Sequence, residues 1–377
     1  MAEVAEKKKS GGLAGVIAGD SSICLCGSEE ESLLYRGYPI EDLARFASFE
    51  ETAWLILRGS LPTEKELSDY RVVLKEKRDL PVNLKAILEQ IPKDAGMMDV
   101  MRTSVSALGH FEPEIEEKGR FDIADKLVSC IGAPLLYWHT LHTKGKRLDL
   151  VTQEKNHSGH LLQLILGHEA SEEHQRFLDI ALILYAEHEF NASTFTVRTI
   201  ASTLSDFYSA ICGGIGALSG PLHGGANEKA IELILKFQSQ QEAEQGVLRM
   251  LERKELIMGF GHRVYTTRDP RSDIIKDIAR KLAEDAGDLE TFEIAERIEE
   301  VMRREKKLFP NLDFYSALAF RYLGIPTAMF TPIFVMSRIV GWSAHLLEQR
   351  QNNKLIRPLS NYTGPKRETW KPIGKRS

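Results

Sequence analysis

The spacing of apolar residues predicts helices over most of this chain. Ser48 and Thr63 are each followed three residues later by a glutamate, the capping-box pattern of a helix start, and apolar positions then recur every three or four residues. The stretch from Phe177 to Tyr185 is apolar on nearly every face, so it predicts a buried helix. Asn227 and Pro332 stand where we expect two further helices to begin.

Strand patterns are confined to the amino-terminal part of the chain. Val16-Ile17 and Ile23-Cys24-Leu25 flank Gly19-Asp20, which predicts a small hairpin. The sequence shows no internal repeat and no low-complexity segment. We therefore expect an all-α, two-domain helical fold with at most a short N-terminal hairpin.

Domain boundaries are marked by glycine and proline. The segment from Gly213 to Gly225 is so rich in glycine that we expect it to lie outside any helix and to act as a hinge. Gly324-Ile325-Pro326 marks a second boundary. These signals predict a large helical domain at 1–221, a small mobile domain at 222–323 and a return to the large domain at 324–377.

Composition excludes several classes of function. The net charge of −5 gives no general electrostatic basis for binding nucleic acid, and we expect the basic runs Lys7–Lys9 and Lys375-Arg376 to be solvated tails. Four cysteines in 377 residues are too few for a disulfide scaffold, and we expect Cys24-Leu25-Cys26 to serve only in packing. With neither a signal-peptide pattern nor an apolar stretch of membrane-spanning length, we expect a cytoplasmic protein.

Two common ligand classes fit poorly. Gly214-Ile215-Gly216 resembles part of a dinucleotide-binding loop, but Ser219 replaces the third glycine and no strand precedes it. The pairs His139/His142 and His157/His160 have no recognised metal-ligand spacing, and we expect loop or surface roles for them. The sequence therefore predicts neither a nucleotide loop nor a metal centre.

Two histidines follow or precede glycines in a way that suits ligand binding. His223 is followed by two glycines and a predicted helix start, whose dipole favours a neutral imidazole that donates a hydrogen bond to a carbonyl. His262 ends the run Gly259-Phe260-Gly261-His262, a loop able to press its backbone against a ligand. The alternative for His223 is an ordinary turn histidine.

Charged residues in apolar surroundings supply further candidates. Arg338 lies between Phe334 and Trp342 on a predicted helix, and a buried guanidinium is costly unless an anion pairs with it. No acidic residue occurs between Asp313 and Glu348, so the partner is either another part of the fold or an anionic ligand.

Three more charged residues have two interpretations each. Arg271 follows Asp269-Pro270 and either projects toward a ligand or belongs to a helix cap. Asp313 is either a general base or an aspartate stabilised by the first turn of a helix. Arg357 precedes a proline in an extended segment and projects either into a neighbouring subunit or into water.

Taken together, these residues resemble the citrate synthase family. The matching motifs occur in the family's order, as Pro221–Asn227, Gly259–Tyr265, Asp269–Arg271 and Phe309–Asp313, and the resemblance runs from about residue 12 to residue 365. Within the family, the sequence of Tyr185–Thr196 is most similar to that of the bacterial 2-methylcitrate synthase branch.

The resemblance implies a helical homodimer that condenses an acyl-CoA, propionyl-CoA for that branch, with oxaloacetate and water, and it implies no cofactor. Asp313 would be the base, His223 would stabilise the enolate and His262 would act as the acid. The implied substrate-binding residues are Arg71, His188, Arg271, Arg338 and, reaching the partner's site, Arg357. The implied CoA-binding residues are Leu256, Ile257, Met258, Gly259 and Phe260.

Two functional alternatives and one question about CoA binding stay open. Ordinary citrate synthase chemistry on acetyl-CoA uses the same motifs, and an inactive helical dimer serving as a scaffold is an alternative outside the enzyme class. The CoA phosphates lack an assigned partner, because Thr266-Thr267-Arg268 stands where relatives often have a lysine. Arg268 is a candidate for that contact.

Overall fold

The computed structural model describes residues 11–13, 15–27, 33–115, 119 and 121–376, so the basic run Lys7–Lys9 lies outside the described residues. Within these residues the chain forms seventeen α-helices and one small sheet, which confirms the predicted all-α class. The helices are α1 (Ile40–Phe46), α2 (Phe49–Arg58), α3 (Glu64–Glu76), α4 (Val82–Leu88), α5 (Met97–Phe111), α6 (Asp122–Cys130), α7 (Ala133–Lys144), α8 (His157–Leu166), α9 (Glu172–Tyr185), α10 (Ala192–Ala201), α11 (Phe207–Leu218), α12 (Ala226–Ile234), α13 (Gln240–Glu252), α14 (Pro270–Ala286), α15 (Leu289–Lys306), α16 (Leu312–Tyr322) and α17 (Phe330–Gln351).

The sheet is near the amino terminus but differs from the predicted hairpin. Strand β1 (Cys24–Cys26) pairs antiparallel with β2 (Leu33–Tyr35), which pairs antiparallel with β3 (Tyr38–Pro39). The turn between β2 and β3 is Arg36-Gly37, whose positive φ angles of 50° and 90° suit a two-residue hairpin. The predicted hairpin around Gly19-Asp20 was therefore wrong, because the tight turn that directs strand pairing lies later in the chain.

Helix starts follow the local sequence closely in most places. The capping boxes at Ser48 and Thr63 are both present, and Pro332 lies in the first turn of α17 as predicted. The expected cap at Asn227 was wrong by two residues, because hydrogen bonds from the amides of residues 223 and 224 to Gly220 O lead the chain into α12, which Gly225 caps.

Helix α17 lies at the centre of the fold. Its residues are buried almost continuously from Phe330 to Leu346, and it contacts α2, α6, α9, α10 and α11. Trp342 is fully buried on it. Helix α9 packs beside α17 and is buried from Phe177 to Tyr185 except at Ile180, as its apolar sequence predicts. These two helices carry several residues of the site described below.

The glycines at the start of the predicted hinge serve a different purpose. Gly213 and Gly214 lie inside α11, so the expectation that this segment is not helical was wrong there. A Cβ on Gly213 would lie 2.2 Å from Cδ1 of Ile200, and a Cβ on Gly214 would lie 2.8 Å from Cγ2 of Val197. The absent side chains let α10 and α11 approach closely, and that packing compensates for the low helix propensity of glycine.

Helices α12 to α16 pack largely on one another. Helix α14 contacts α15 and α16, α12 contacts α16, and α13 contacts α15. These helices occupy residues 226–322, within the region assigned to the small domain. The division at 222 and 323 stays a prediction. None of the described helices combines the length and the apolar character needed to cross a membrane.

Candidate active site

Two loops that are about 50 residues apart in sequence pair with each other, one just before His262 and the other just before Asp313. The backbone N–H of Gly261 donates to Phe309 O at 2.8 Å, and the backbone N–H of Asn311 donates to Gly259 O at 2.9 Å. Gly259 has φ of +90°, and a Cβ there would lie 3.0 Å from the ring of Phe314. The glycines are thus required by conformation and close approach, and they place the histidine loop against the first turn of α16.

Asp313 is the second residue of α16, in the first turn after the Asn311 cap. Its Oδ1 accepts a hydrogen bond of 2.6 Å from the hydroxyl of Tyr185 at the end of α9. Burial raises the pKa of Asp313 to about 6, although the Tyr185 hydroxyl and the charge of Arg271 act in the opposite direction. A carboxyl group with this pKa is ionised at neutral pH and can accept a proton.

His262 has a fixed hydrogen-bond direction at one ring nitrogen. Its Nδ1 accepts from the backbone amides of Val264 at 3.1 Å and Tyr265 at 3.4 Å. Burial first, and then the charge of Arg271, lowers the pKa of His262 to about 4. The ring is therefore neutral at pH 7, and its proton is on Nε2, which can donate.

His223 has the opposite tautomer. Its Nε2 accepts a hydrogen bond from the backbone amide of Ser193 at 3.3 Å and lies 2.8 Å from Ser193 Oγ. Ser193 Oγ itself accepts from the indole N–H of Trp342 at 3.1 Å. Burial, followed by the charge of Arg338, lowers the pKa of His223 to about 4. Because Nε2 accepts from an amide, Nδ1 bears the proton and can donate to a substrate oxygen.

Arg271 is held in the site by Asp269. Its Nε and NH2 donate to the two carboxylate oxygens at 2.9 and 2.8 Å, and both side chains are buried. Asp269 also accepts from the backbone amide of Leu312 at 3.1 Å and caps α14 through the backbone amide of Arg271. The cap interpretation is confirmed, and the contact of Arg271 with a ligand stays a prediction. Burial raises the pKa of Asp269, but the charge and hydrogen bonds of Arg271 more than offset it, so the pKa is lowered overall.

Arg338 is buried without an adjacent carboxylate. Its Nε donates to Tyr185 O at 2.7 Å, and its guanidinium lies 4.7 Å from the centre of the Phe334 ring. Among the described residues, no acidic oxygen is placed within 4 Å of it, and burial lowers its pKa while the charge of Glu187 raises it. The guanidinium thus retains capacity for an anionic ligand.

Glu187 provides charge near Arg338 from a buried position. Its Oε1 lies 2.8 Å from Nε2 of His345. The Nδ1 of His345 accepts a hydrogen bond from Arg198 at 3.0 Å, and Arg198 also forms an ion pair with Glu348 at 2.7 Å. The His345 ring therefore donates to Glu187 through Nε2. This chain of contacts ties the segment that carries His188 to the carboxyl-terminal half of α17.

His188 lies between the loop that carries His262 and strand β1. Its ring centre is 4.8 Å from that of His262, and its Nε2 lies 3.1 Å from the hydroxyl of Tyr265 and 3.2 Å from Sγ of Cys26. Burial, and then the charge of Arg271, lowers the pKa of His188 well below its usual value. The prediction that Cys26 serves only in packing was wrong, because its thiol reaches a candidate site residue.

Two of the expected substrate arginines lie apart from these contacts. The described contacts of Arg71 are with Ser48 Oγ at 3.2 Å and with Glu50 at 3.9 Å, both at the start of α2. Arg357 is exposed in the extended segment that follows α17. Its reach into a partner subunit stays a prediction, as does the role of Arg71.

The expected CoA segment runs along the loop before His262. Leu256 is 73% exposed, whereas Ile257 and Gly259 are buried and Phe260 packs against Phe314 with ring centres 4.5 Å apart. The segment thus has an exposed end and an end anchored beside Asp313. Arg268 is ion-paired with Asp273 at 3.4 Å, and its contact with CoA phosphates stays a prediction.

The expectation that His157 and His160 lie in a loop or at the surface was wrong. Both are buried in the first turn of α8, which Asn156 caps. Thr152 Oγ1 lies 3.0 Å from His160 Nδ1 and gives this buried ring a polar partner. Within the described residues, no group of three or more His, Cys, Asp or Glu side chains is placed to hold a metal ion.

Sequence patterns gave Tyr185 and Ser193 no role, although both contact candidate catalytic side chains. Each lies in the Tyr185–Thr196 stretch that carries the family resemblance. Polar residues at the end of an apolar helix and at the start of the next were the available signal.

Together the described contacts assemble an ionisable base, two neutral imidazoles with defined donors and two guanidiniums. This set suits removal of a carbon-bound proton next to a carbonyl and binding of an anionic co-substrate.

Comparison with known proteins gives the same family throughout. A family model described as "Citrate synthase, C-terminal domain" matches residues 12–359. A 2-methylcitrate synthase of Shewanella oneidensis is 47% identical over 99% of both chains, and a citrate synthase of Haloferax volcanii is 38% identical over 97% of this chain and 98% of that one. The solved citrate synthase of Thermoplasma acidophilum, in a ternary complex with carboxymethyl coenzyme A and oxaloacetate, superposes with a TM-score of 0.90 at 31% identity, covering 97% of this chain and 98% of that one.

Proposed function

The chain belongs to the citrate synthase family of condensing acyltransferases, and we propose that it condenses propionyl-CoA with oxaloacetate and water to give 2-methylcitrate and CoA. The observation that carries the choice of propionyl-CoA is the 47% identity over 99% of both chains to a 2-methylcitrate synthase. Four citrate synthases compared with it are 37–39% identical, as are two 2-methylcitrate synthases of Corynebacterium glutamicum at 39%.

In the proposed reaction, Asp313 removes a proton from the carbon next to the thioester carbonyl of propionyl-CoA. Its raised pKa of about 6 supports this role, because the carboxylate is ionised at neutral pH yet basic enough to take up a proton. The Nδ1–H of His223 donates to the thioester carbonyl oxygen. This hydrogen bond stabilises the negative charge of the enolate, and the neutral imidazole does not transfer its proton to it.

The enolate carbon then attacks the keto carbon of oxaloacetate. The Nε2–H of His262 acts as the acid, donating to the ketone oxygen as the carbon–carbon bond forms. The proton that Asp313 removed from the acyl-CoA replaces it, so the product hydroxyl gains one proton and both side chains return to their starting states. Water hydrolyses the thioester of the condensed product, which releases CoA and leaves a third carboxylate. We expect no metal and no prosthetic group in these steps, since proton transfer and hydrogen bonding supply the chemistry.

Cationic and neutral donors would bind the two carboxylates of oxaloacetate. Arg271 and Arg338 are buried guanidiniums of the site, and within the described part of the chain Arg338 has no ion pair with a carboxylate. His188 lies next to His262. Bidentate guanidinium pairing suits carboxylates. We propose that Arg357 of a second copy completes the set in a homodimer, and that Arg71 also contributes to substrate binding.

The CoA thioester would approach along the segment Leu256–Phe260, whose exposed end is open to solvent and whose anchored end is beside Asp313. Closure of the small domain over this cleft would exclude water during condensation. We further propose that the enzyme acts in the cytoplasm.

Citrate synthase activity on acetyl-CoA is the second candidate, favoured by the citrate synthases among the relatives. The acyl groups differ by one methylene, which is worth only about 1–3 kcal/mol in an apolar pocket. Some activity on acetyl-CoA is therefore expected in either case. The scaffold hypothesis is disfavoured, because a scaffold requires neither a buried base nor unpaired buried arginine.

The direct test is identification of the product. The protein is incubated with oxaloacetate and propionyl-CoA, free thiol is followed by a colour reagent, and the product is identified by mass. The expected result is 2-methylcitrate and one equivalent of CoA, with no thiol release when oxaloacetate is omitted. Citrate formation from acetyl-CoA without any reaction of propionyl-CoA would support the second candidate, and inactivity with both would support the scaffold.

A further inference from the structure

Two polar side chains that contact His188, Cys26 and Tyr265, have no role in the reaction as described. Sγ of Cys26 lies 3.3 Å from the hydroxyl of Tyr265, and both groups lie within hydrogen-bond distance of Nε2 of His188, at 3.2 and 3.1 Å. Tyr265 is only 2% exposed. A buried hydroxyl in such a cluster is expected to have a defined partner.

The direction of these hydrogen bonds follows from the protonation of the three groups. Burial raises the pKa of the Cys26 thiol to about 12 and raises the pKa of Tyr265 further above its usual value, so both stay protonated. Burial keeps His188 neutral through a lowered pKa. The phenol is the stronger donor of the two, so its hydroxyl donates to His188 Nε2 and accepts from the thiol.

This arrangement leaves one donor on the His188 ring. With Nε2 accepting, the proton of the neutral imidazole is on Nδ1, whose contact with Cys26 Sγ is longer, at 3.7 Å. The N–H of Nδ1 is then available to an oxygen atom of a bound carboxylate. If the tautomer were reversed, Nδ1 would present a lone pair to the anion, which would repel it.

The backbone around Tyr265 is fixed with respect to both neighbouring histidines. Its amide donates to Nδ1 of His262 at 3.4 Å, and its ring centre lies 4.7 Å from that of His262. The preceding residue, Val264, packs against Gly27, which directly follows the strand that carries the thiol, since a Cβ on Gly27 would lie 2.2 Å from Cγ1 of Val264. Tyr265 therefore links the loop of the proposed small domain to β1 and to His188.

We propose that Tyr265, supported by Cys26, is a positioning residue that holds His188 in the Nδ1–H tautomer required for binding oxaloacetate. This inference rests on the proposed function for the identity of the anion. It assigns a role to a residue that neither removes a proton nor contacts the reacting carbon. It predicts an effect on oxaloacetate binding that exceeds any effect on turnover.

The test uses Tyr265→Phe, which keeps the ring and removes the hydroxyl. Nitrogen NMR of histidine-labelled, ligand-free enzyme reports the His188 tautomer, with the signal assigned by its loss in His188→Gln. Calorimetry reports oxaloacetate binding without acyl-CoA. The expected result is a mixed tautomer for His188, a dissociation constant about tenfold higher, and kcat within about twofold at saturating oxaloacetate.

Tyr137→Phe is the matched control, because Tyr137 is also a buried tyrosine, in α7, and its hydroxyl donates to Glu89 at 2.6 Å away from the site. It should leave both readouts unchanged. Cys26→Ala should shift the tautomer less than Tyr265→Phe, and Cys26→Ser should restore it.

An unchanged His188 tautomer in Tyr265→Phe, or unchanged affinity for oxaloacetate, overturns the inference. If wild-type enzyme itself does not bind oxaloacetate, the proposed function fails instead, and the tautomer measurement still decides whether Tyr265 orients His188. If Tyr265→Phe does not fold, the pair Cys26→Ala and Cys26→Ser provides the same comparison.

Discussion

The hydroxyl of Tyr185 donates a 2.6 Å hydrogen bond to Oδ1 of Asp313, joining the end of α9 to the first turn of α16. Two opposing effects act on this carboxyl group. Burial raises its pKa, and the tyrosine hydrogen bond stabilises the ionised form and lowers it, with a result of about 6. The contact between residues 185 and 313 therefore adjusts the basicity of the proposed catalytic base.

The rate of the enzyme should depend on the ionisation of Asp313. Because the base is the deprotonated carboxylate, kcat/KM for the acyl-CoA should rise as pH increases through about 6 and level off above it. His223 and His262, with pKa values of about 4, stay neutral over that range. Tyr185→Phe removes a group that lowers the Asp313 pKa, so the inflection should move to higher pH. An inflection that does not move in this variant would contradict the role given to Tyr185.

Substitution of the base tests the proton transfer itself. Asp313→Ala should reduce kcat by about 10²–10⁴-fold, the usual contribution of a general base. Oxaloacetate should still bind in calorimetry, because Arg271 and Arg338 are retained. Asp313→Asn is the variant of matched size. Near-normal turnover in either variant would exclude Asp313 as the base.

Ser193 should act through His223. Ser193→Ala removes the hydroxyl that lies 2.8 Å from Nε2 and leaves the Trp342 indole N–H without its partner. We expect kcat to fall about tenfold, and stability to fall by about 1–3 kcal/mol for the unpaired buried donor. Ser337→Ala, which removes a hydroxyl bonded to Leu182 O on the same helix as Trp342, should cost stability without lowering kcat. Equal kcat values in the two variants would contradict a specific role for Ser193.

Gly341 should be intolerant of any side chain. A Cβ there would lie 2.1 Å from Oε2 of Glu187 and 2.6 Å from Ala186 O. Gly341→Ala should therefore lower the free energy of unfolding in denaturant titration by about 1–3 kcal/mol or more, as overpacking does. Two residues away, Ser343→Ala should be neutral or slightly stabilising, because its buried hydroxyl has no hydrogen-bond partner among the described residues. Similar stabilities for both variants would show that Glu187 moves aside freely.

Local sequence predicted those features that local physics determines. The capping boxes at Ser48 and Thr63 and the buried run in α9 follow from side-chain chemistry within a few residues. The early hairpin and the helix break at Gly213 were wrong, because strand pairing and close helix packing depend on partners elsewhere in the chain. The candidate residues His223, His262 and Asp313 were named from motifs, and their surroundings come from the fold.

The contacts that adjust the site lay beyond the reach of sequence patterns. Tyr185 and Asp313 are 128 residues apart, and His188 and Tyr265 are 77 residues apart. No periodicity or local motif relates positions at such separations. The tautomers of the three site histidines likewise depend on backbone amides and hydroxyl groups that only the folded chain brings to them.

The ratio of specificity constants for the two acyl-CoA substrates decides between the two proposed activities. Initial rates of CoA release are recorded at saturating oxaloacetate, with propionyl-CoA and acetyl-CoA varied in separate series on the same enzyme preparation. We expect a higher kcat/KM for propionyl-CoA, with measurable activity on acetyl-CoA. A higher kcat/KM for acetyl-CoA would rule out 2-methylcitrate synthesis as the main activity.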